Sequence, residues 1–211
     1  METIDVFMLR KMIANAGRHI TENQVLLSDL DAAIGDGDHG VSMARGFAAV
    51  RDRVLQSESA DIGTLLIDTG RMLMKEIGGT CGPLFGTFFL KMAPHGRDRA
   101  EISLMDWSAM LTDGLHGVML LGKADVGDKT MLDALEPAVR VVAESASQSG
   151  SFVAAMTGAA EAAVTGAEKT AELVARKGRG RYQGNASLGH QDAGATSVAL
   201  MMTGFSEALK A

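Results

Sequence analysis

Val6-Phe-Met-Leu9-Arg-Lys-Met12-Ile13-Ala-Asn-Ala16-Gly-Arg-His-Ile20 repeats its apolar residues at steps of three and four. That is the period of a helix with one buried face. The pattern carries on through Leu26, Leu27 and Leu30, so the spacing predicts a first helix over roughly 3–30. The same reading gives seven more. A second follows Asp38 with Met43, Phe47 and Val50, and a third is capped near Asp61 with Ile62, Leu65, Leu66, Thr69 and Leu73 on one side. A fourth follows Gly82-Pro83 and carries Leu84, Phe85, Phe88, Phe89 and Met92. A fifth opens at Ser103 and runs towards Leu121. A sixth runs from Asp128 or Thr130 to about Ala146, with Pro137 as a candidate kink. A seventh, rich in Ala, covers about 151–174, and an eighth starts near Asp192. No segment alternates with the period of two that a half-buried strand needs. The expectation is an all-α fold: one domain over residues 1–211, eight helices in an antiparallel bundle.

Composition agrees. The chain has 211 residues, 46% hydrophobic, 22% charged and only 4% aromatic, with 14 Met; this is globular and poor in the residues that favour sheets. The formal net charge of −6 argues against a general nucleic-acid binder, which needs a basic face. One nucleotide is still allowed, since a metal can supply positive charge locally. The single cysteine, Cys81, excludes an intrachain disulfide and suits a reducing compartment. With Glu2 and Asp5 in the first residues and no apolar run of membrane-spanning length, the sequence reads as cytoplasmic, with no membrane partner.

The connections hold the chemistry. Four are dense in Gly and polar groups, far beyond what a bundle loop requires: 35–40, 78–82, 122–130 and 177–196. In Asp31-Ala-Ala-Ile-Gly-Asp36-Gly-Asp38-His39-Gly40, three carboxylates fall within eight residues. They repel unless solvated or sharing a cation, and hard oxygen ligands suit Mg²⁺ or Ca²⁺. An EF-hand does not fit, because no Glu stands at the twelfth loop position counted from Asp36. The plainer alternative is a solvated turn with Asp38 capping the next helix.

Gly78-Gly79-Thr80-Cys81-Gly82-Pro83 opens a helix, and backbone N–H groups there can bind an anion. It is neither a P-loop nor a Rossmann fingerprint, and a close-packing turn explains it equally well. No base can be assigned to Cys81 from the sequence, so an inert thiol is the better reading. In Gly122-Lys-Ala-Asp-Val-Gly-Asp128-Lys129-Thr130-Met131-Leu-Asp133, Asp128 or Thr130 reads as a helix cap. Arg176-Lys-Gly-Arg179-Gly-Arg181 is the basic cluster of an acidic chain; it faces phosphate or an acidic partner, or is a solvated loop. His19, His95 and His116 show no partner in the sequence, whereas His39 and His190 sit in the polar loops. No Cys/His spacing suggests zinc, and the methionines read as core filler.

Taken in order, these loops, with Gly82-Pro-Leu-Phe-Gly86 and Gly189-His-Gln-Asp192-Ala-Gly194-Ala-Thr-Ser197, resemble the L subunit of dihydroxyacetone kinases, the nucleotide-binding subunit DhaL, over nearly the whole chain. The resemblance implies an eight-helix antiparallel barrel with the nucleotide site in the loops at one end. It implies that Asp31, Asp36 and Asp38 hold two Mg²⁺ ions bridging the phosphates of ADP or ATP. His39, Gly40 and Ser42 would line the nucleotide, Thr80, Cys81 and Gly82 the phosphates, and Gly122, Met131, Arg179, Asp192 and Gly194 the rest of the pocket. Cys81 departs from the Ser common in the family, and a thiol is the weaker donor. The family's sugar is held covalently on a separate K subunit, which fits the absence here of an obvious base or nucleophile. In one version of the system a phosphohistidine-bearing M subunit rephosphorylates resident ADP, and in another ATP exchanges freely; a free-standing L chain favours the former. The alternatives from other classes are a nucleotide-sensing regulatory protein without transfer activity and an apolar-ligand-binding barrel. The acidic triad argues against the last.

Overall fold

The computed structural model describes residues 2–58 and 61–210. Among them are nine α-helices: α1 (Val6–Glu22), α2 (Gln24–Ile34), α3 (His39–Leu55), α4 (Ile62–Glu76), α5 (Cys81–Met92), α6 (Leu104–Gly122), α7 (Leu132–Ser147), α8 (Phe152–Lys169) and α9 (Ala193–Ala208). The predicted first helix is therefore two, broken at Asn23, whose N–H and side-chain amide both return to the His19 carbonyl. That bond ends α1 without the Gly or Pro that would betray a break in sequence. Several of the other starts are capped by side chains. Asp61, Ser103, Ser151 and Asp192 each accept the N–H three residues on, and Ser103 forms a full capping box with Asp106.

Two further departures have local causes. Residues Thr3–Asp5 (β1) and Glu101–Ser103 (β2) pair antiparallel, Ile4 opposite Ile102. Both isoleucines are buried, but three residues are too few to show alternation. The sixth predicted helix starts at Leu132, not at Asp128 or Thr130. Met131 is its N-cap and makes no side-chain cap bond, while the Thr130 hydroxyl accepts from the Leu132 N–H at 3.2 Å. Asp133, in the helix's own first turn, reaches back and accepts from the N–H groups of Gly127 (2.5 Å) and Thr130 (2.7 Å), pinning the preceding segment as a loop. Pro137 lies inside α7.

Each of α1, α3, α4, α5, α6, α7, α8 and α9 packs on the next, and α9 returns to α1, closing a ring of eight with α2 lying against α3 and α9. The fold is all-α. Inside are Trp107, edge-on to Phe205 at 6.1 Å, and the edge-to-face pairs Phe47–Phe85 and Phe88–Phe89. The indole N–H of Trp107 points at Met156 Sδ, 3.2 Å away, and Met12, Met43, Met92, Met110, Met201 and Met202 are fully buried in the same core. At the seam between first and last helices the backbones nearly touch: a Cβ on Gly204 would lie 2.6 Å from Ala16 Cα.

The connections between α2 and α3, α4 and α5, α6 and α7, and α8 and α9 all line one cleft. Alternate connections meeting at one pole require that successive helices of the ring run up and down. No helix among the described residues is long and apolar enough to cross a membrane. His19 and His95, partnerless in sequence, are paired across helices, His19 with Glu207 (2.7 Å) and His95 with Asp113 (2.8 Å).

Candidate functional site

The cleft has a volume of about 590 Å³, enough for a nucleotide-sized ligand. Because α3, α5, α7 and α9 all begin here, their first-turn N–H groups face this pole. The C-terminal ends of α2, α4, α6 and α8 lie at the same pole, so the macrodipoles largely cancel. Local donors and charges decide what can bind.

One wall is acidic. Asp31, on the last turn of α2, and Asp36 and Asp38, in the loop to α3, bring one carboxylate oxygen each within 4.8 Å of the others. Asp31 is half-buried and accepts from the His39 N–H at 3.3 Å; Asp36 and Asp38 are exposed. Asp38 occupies the N-cap position of α3, yet its side chain makes no cap bond. Asp38 therefore stands at the helix start without spending its carboxylate on a cap bond. Gly37, at φ +76°, makes the turn. Gly40 lets α3 start against α2, since a Cβ there would lie 2.6 Å from the Ser28 nitrogen. Oxygens around one Mg²⁺ at about 2.1 Å span at most about 4.2 Å. The cluster therefore fits a shared ion after small side-chain rotations.

The facing wall is basic. Lys123, Lys177, Arg179 and Arg181 line the mouth, and the Arg179 guanidinium reaches across to Asp36. Arg181 lies over the exposed ring of Tyr182, 4.7 Å from its centroid. Gly78, Gly79, Thr80 and Cys81 form a third side, where Gly79 at φ +63° turns the chain into α5. Apolar Leu84, Phe85, Val118, Met131 and Leu132 form the floor.

Cys81 does have a basic neighbour that its sequence context could not show. Its Sγ lies 3.4 Å from His39 Nδ1, while His39 Nε2 is 2.8 Å from Ser197 Oγ. Ser197 donates its hydroxyl proton to the Ala193 carbonyl at 3.0 Å, so it accepts from Nε2–H, and Nδ1 is left to accept from the thiol. Burial lowers the His39 pKa, outweighing the pull of Asp31. Burial, followed by the charges of Asp192, Asp31 and Asp38, pushes the Cys81 thiol up to about 12. Both shifts favour thiol and neutral imidazole over a thiolate–imidazolium pair. Cys81 is an uncharged wall of the cleft.

Asp192 caps α9 through the Ala195 N–H, 2.7 Å. Burial pushes its carboxyl up to about 6 despite that bond, with Asp133 and Asp31 adding repulsion and Lys129 opposing it. Of the residues singled out in the sequence, Asp31, Asp36, Asp38, His39, Ser42, Thr80, Cys81, Gly122, Met131, Arg179, Asp192 and Gly194 line the cleft. Gly40 and Gly82 are buried behind its walls, where each permits a close backbone approach. The His190 side chain is exposed and contributes through its carbonyl.

The residue that sequence reasoning missed is Lys129. Nearly fully buried and at φ +61°, its ammonium donates to the carbonyls of Thr170 (2.8 Å), Leu173 (3.2 Å), Ser187 (2.8 Å) and His190. The only sequence sign was a lysine inside a Gly-Asp-Lys-Thr turn, and nothing there points to partners 41 to 61 residues away.

With this geometry in view, residues 33–207 match the DAK2 domain family. The chain is 43% identical over 182 residues to the ADP-binding subunit DhaL of the PEP-dependent dihydroxyacetone kinase of Escherichia coli K12, covering 86% of each. It is 36% identical to the corresponding ADP-binding subunit of dihydroxyacetone kinase 1 of Listeria innocua, covering 94% of each. It superimposes on the crystal structure of the dihydroxyacetone kinase of C. freundii with a TM-score of 0.73 at 25% identity, covering 97% of this chain and 34% of that one.

Proposed function

The chain belongs to the DAK2 domain family, and on that premise we propose that it is the ADP-binding, phosphoryl-transferring subunit of a dihydroxyacetone-type kinase. The observation that carries the proposal is the acidic triad facing a glycine-rich helix start and a basic rim across one cleft. An apolar-ligand pocket has no use for that arrangement. The whole chain, 1–211, serves as one nucleotide-binding unit.

Asp31, Asp36 and Asp38 would hold Mg²⁺, two ions if the phosphates bridge them, and the metal would neutralise charge on the transferring phosphoryl group. This chain's own work is positioning. The N–H groups opening α5 at Thr80 and Cys81 face the phosphates. Ser42, His39 and Gly194 bound them on the remaining sides, and Arg179 is placed to exchange Asp36 for a phosphate oxygen. Gly122 and Met131 abut the apolar floor, where a base can stack away from water. Cys81 and His39 are turned towards each other and not outwards: the thiol is held protonated against His39 Nδ1, and His39 Nε2 is taken by Ser197. The acceptor hydroxyl would be presented by a K-type subunit carrying dihydroxyacetone or a related short ketose.

The relatives at 43% and 36% identity are named as ADP-binding subunits of PEP-dependent kinases. That supports resident ADP recharged in place by a phosphohistidine M-type subunit over exchange of free ATP. Both routes use the same pocket. Sugar phosphorylation is to be measured with the K subunit present, using ATP or a phosphorylated carrier protein as donor. Transfer from the carrier, lost in Asp36→Ala, is the expected result. Full turnover by Asp36→Ala would remove the metal role. Nucleotide-dependent binding to a regulator with no transfer to any ketose would replace the kinase reading by a sensing one.

A further inference from the structure

The 23 residues between α8 and α9 contain no α-helix, only short 3₁₀ turns, yet they supply Lys177, Arg179 and Arg181 of the cleft's basic wall and the Asp192 cap. Such a segment lacks the ladder that would satisfy its carbonyls. Four of them, from Thr170, Leu173, Ser187 and His190, converge on the Lys129 ammonium. An ammonium has three N–H groups, so four acceptors use every donor and share at least one. Around that point the segment is tied to itself and to its neighbour. The Gly189 N–H reaches the Ala171 carbonyl, the Arg176 N–H the Asp128 carbonyl, and the Asp192 N–H the Thr170 hydroxyl. A cage of carbonyls around a compact charge is how proteins bind a desolvated cation. Here the cation is covalently attached through a lysine stem.

We propose that Lys129 is a positioning residue: its ammonium acts as a built-in cation around which the 170–192 segment folds, and it thereby sets Arg179 over the phosphate end of the cleft. The inference rests on the nucleotide reading for its effect on binding, but not for its effect on the segment. Removing the side chain beyond Cβ leaves four carbonyls around a void whose missing atoms, three carbons and a nitrogen, are those of n-propylammonium.

The test uses the full chain and the variants Lys129→Ala and Lys129→Met, with two readouts: hydrogen exchange of residues 173–190 without nucleotide, and titration with Mg²⁺–ADP. In Lys129→Ala the segment should exchange faster while the ring helices keep their protection. Mg²⁺–ADP affinity should fall on the order of tenfold if the segment is ordered about a tenth of the time. n-Propylammonium chloride should restore both readouts, and n-propanol, of the same length without the charge, neither. Lys129→Met, which keeps an apolar stem, should show the same faster exchange. Unchanged exchange in both variants overturns the proposal. So does a loss of protection spread over all helices that n-propylammonium does not reverse, since that marks a general structural role. If wild type fails to bind Mg²⁺–ADP, the nucleotide reading falls, and the exchange readout still decides the role of Lys129.

Discussion

Replacing Asp38 by Asn tests the acidic wall through a change of sign. The ligand oxygens of Asp31, Asp36 and Asp38 lie within 4.8 Å of one another. At that spacing two unit charges repel by about 0.9 kcal/mol in bulk water, and about four times that at an effective dielectric of 20. Asp36 and Asp38 are exposed, so the water value governs, and salt with a Debye length of about 8 Å roughly halves it. The substitution removes two of the three repulsions, a relief of about 1 kcal/mol. Against it stands the lost interaction of a carboxylate with the start of α3, about 0.3–1 kcal/mol. No cap hydrogen bond is lost, because Asp38 makes none. The expected result in EDTA is a variant as stable as wild type or up to about 0.7 kcal/mol more so, at most about 3 °C in Tm. With Mg²⁺ and ADP the order reverses. A ligand at a hundred times its Kd stabilises wild type by about 2.7 kcal/mol, and a variant with one ligand fewer gains little of that. Calorimetric melts in EDTA and in Mg²⁺–ADP read both halves. A variant several degrees less stable in EDTA that kept the whole Mg²⁺–ADP shift would refute the reasoning, since the carboxylate would then be structural.

Three further outcomes follow from other contacts. The Arg99 guanidinium, with both Asp106 oxygens 2.8 Å from its nitrogens, and the Ser103 hydroxyl hold the Asp106 carboxyl well below the usual carboxylate range. Its contribution is therefore complete above the unfolded value of about 3.9 and is lost as pH falls through the lower folded one. Asp106→Asn should cost about 1–2 kcal/mol at neutral pH, measured by urea unfolding, with the gap to wild type closing in acid; a gap that widens in acid would contradict the assignment. Cys81, its thiol pushed up to about 12, should alkylate with iodoacetamide at pH 7.5 at least on the order of a hundredfold more slowly in the native protein than in denaturant; comparable rates would mean a reactive thiolate. Gly204→Ala places a methyl 2.6 Å from Ala16 Cα and should cost about 1–3 kcal/mol by separating α1 from α9; an unaltered urea midpoint would show that the seam has slack.

What could be read from the sequence was what is decided locally. Asp61, Ser103, Ser151 and Asp192 cap helices with their own side chains three residues away, so the starts were legible from residue type and position alone. The helical period located the buried faces, and Ile62, Leu65, Leu66, Thr69 and Leu73 are all buried as their spacing requires. The break at Asn23 escaped because an ordinary residue makes it, and the start of α7 because the Asp133 carboxylate points backwards into the loop. β1 and β2 escaped because three-residue strands carry no pattern and pair across about a hundred residues. In the site, the acidic triad stood out because its members are neighbours in sequence. The His39–Cys81 contact, the Arg179–Asp36 pair and the Lys129 cage join different loops and exist only once the ring has closed.

That closure also dictates the order in which the protein can become competent. The seam joins the first helix to the last; the Asn15 amide donates to the Gly204 carbonyl across 189 residues. The same last helix brings Asp192 and Gly194 to the cleft and Ser197 to His39. A chain emerging from the ribosome can therefore form the helical hairpins α4–α5 and α7–α8 early, each from contacts between sequence neighbours, while the pocket waits for residues 192–208. Loop closure over so long a span is entropically costly, and folding slows as contacts become less local. This all-helical protein should thus fold more slowly than an open bundle of equal length, with ligand binding appearing only in the final kinetic phase.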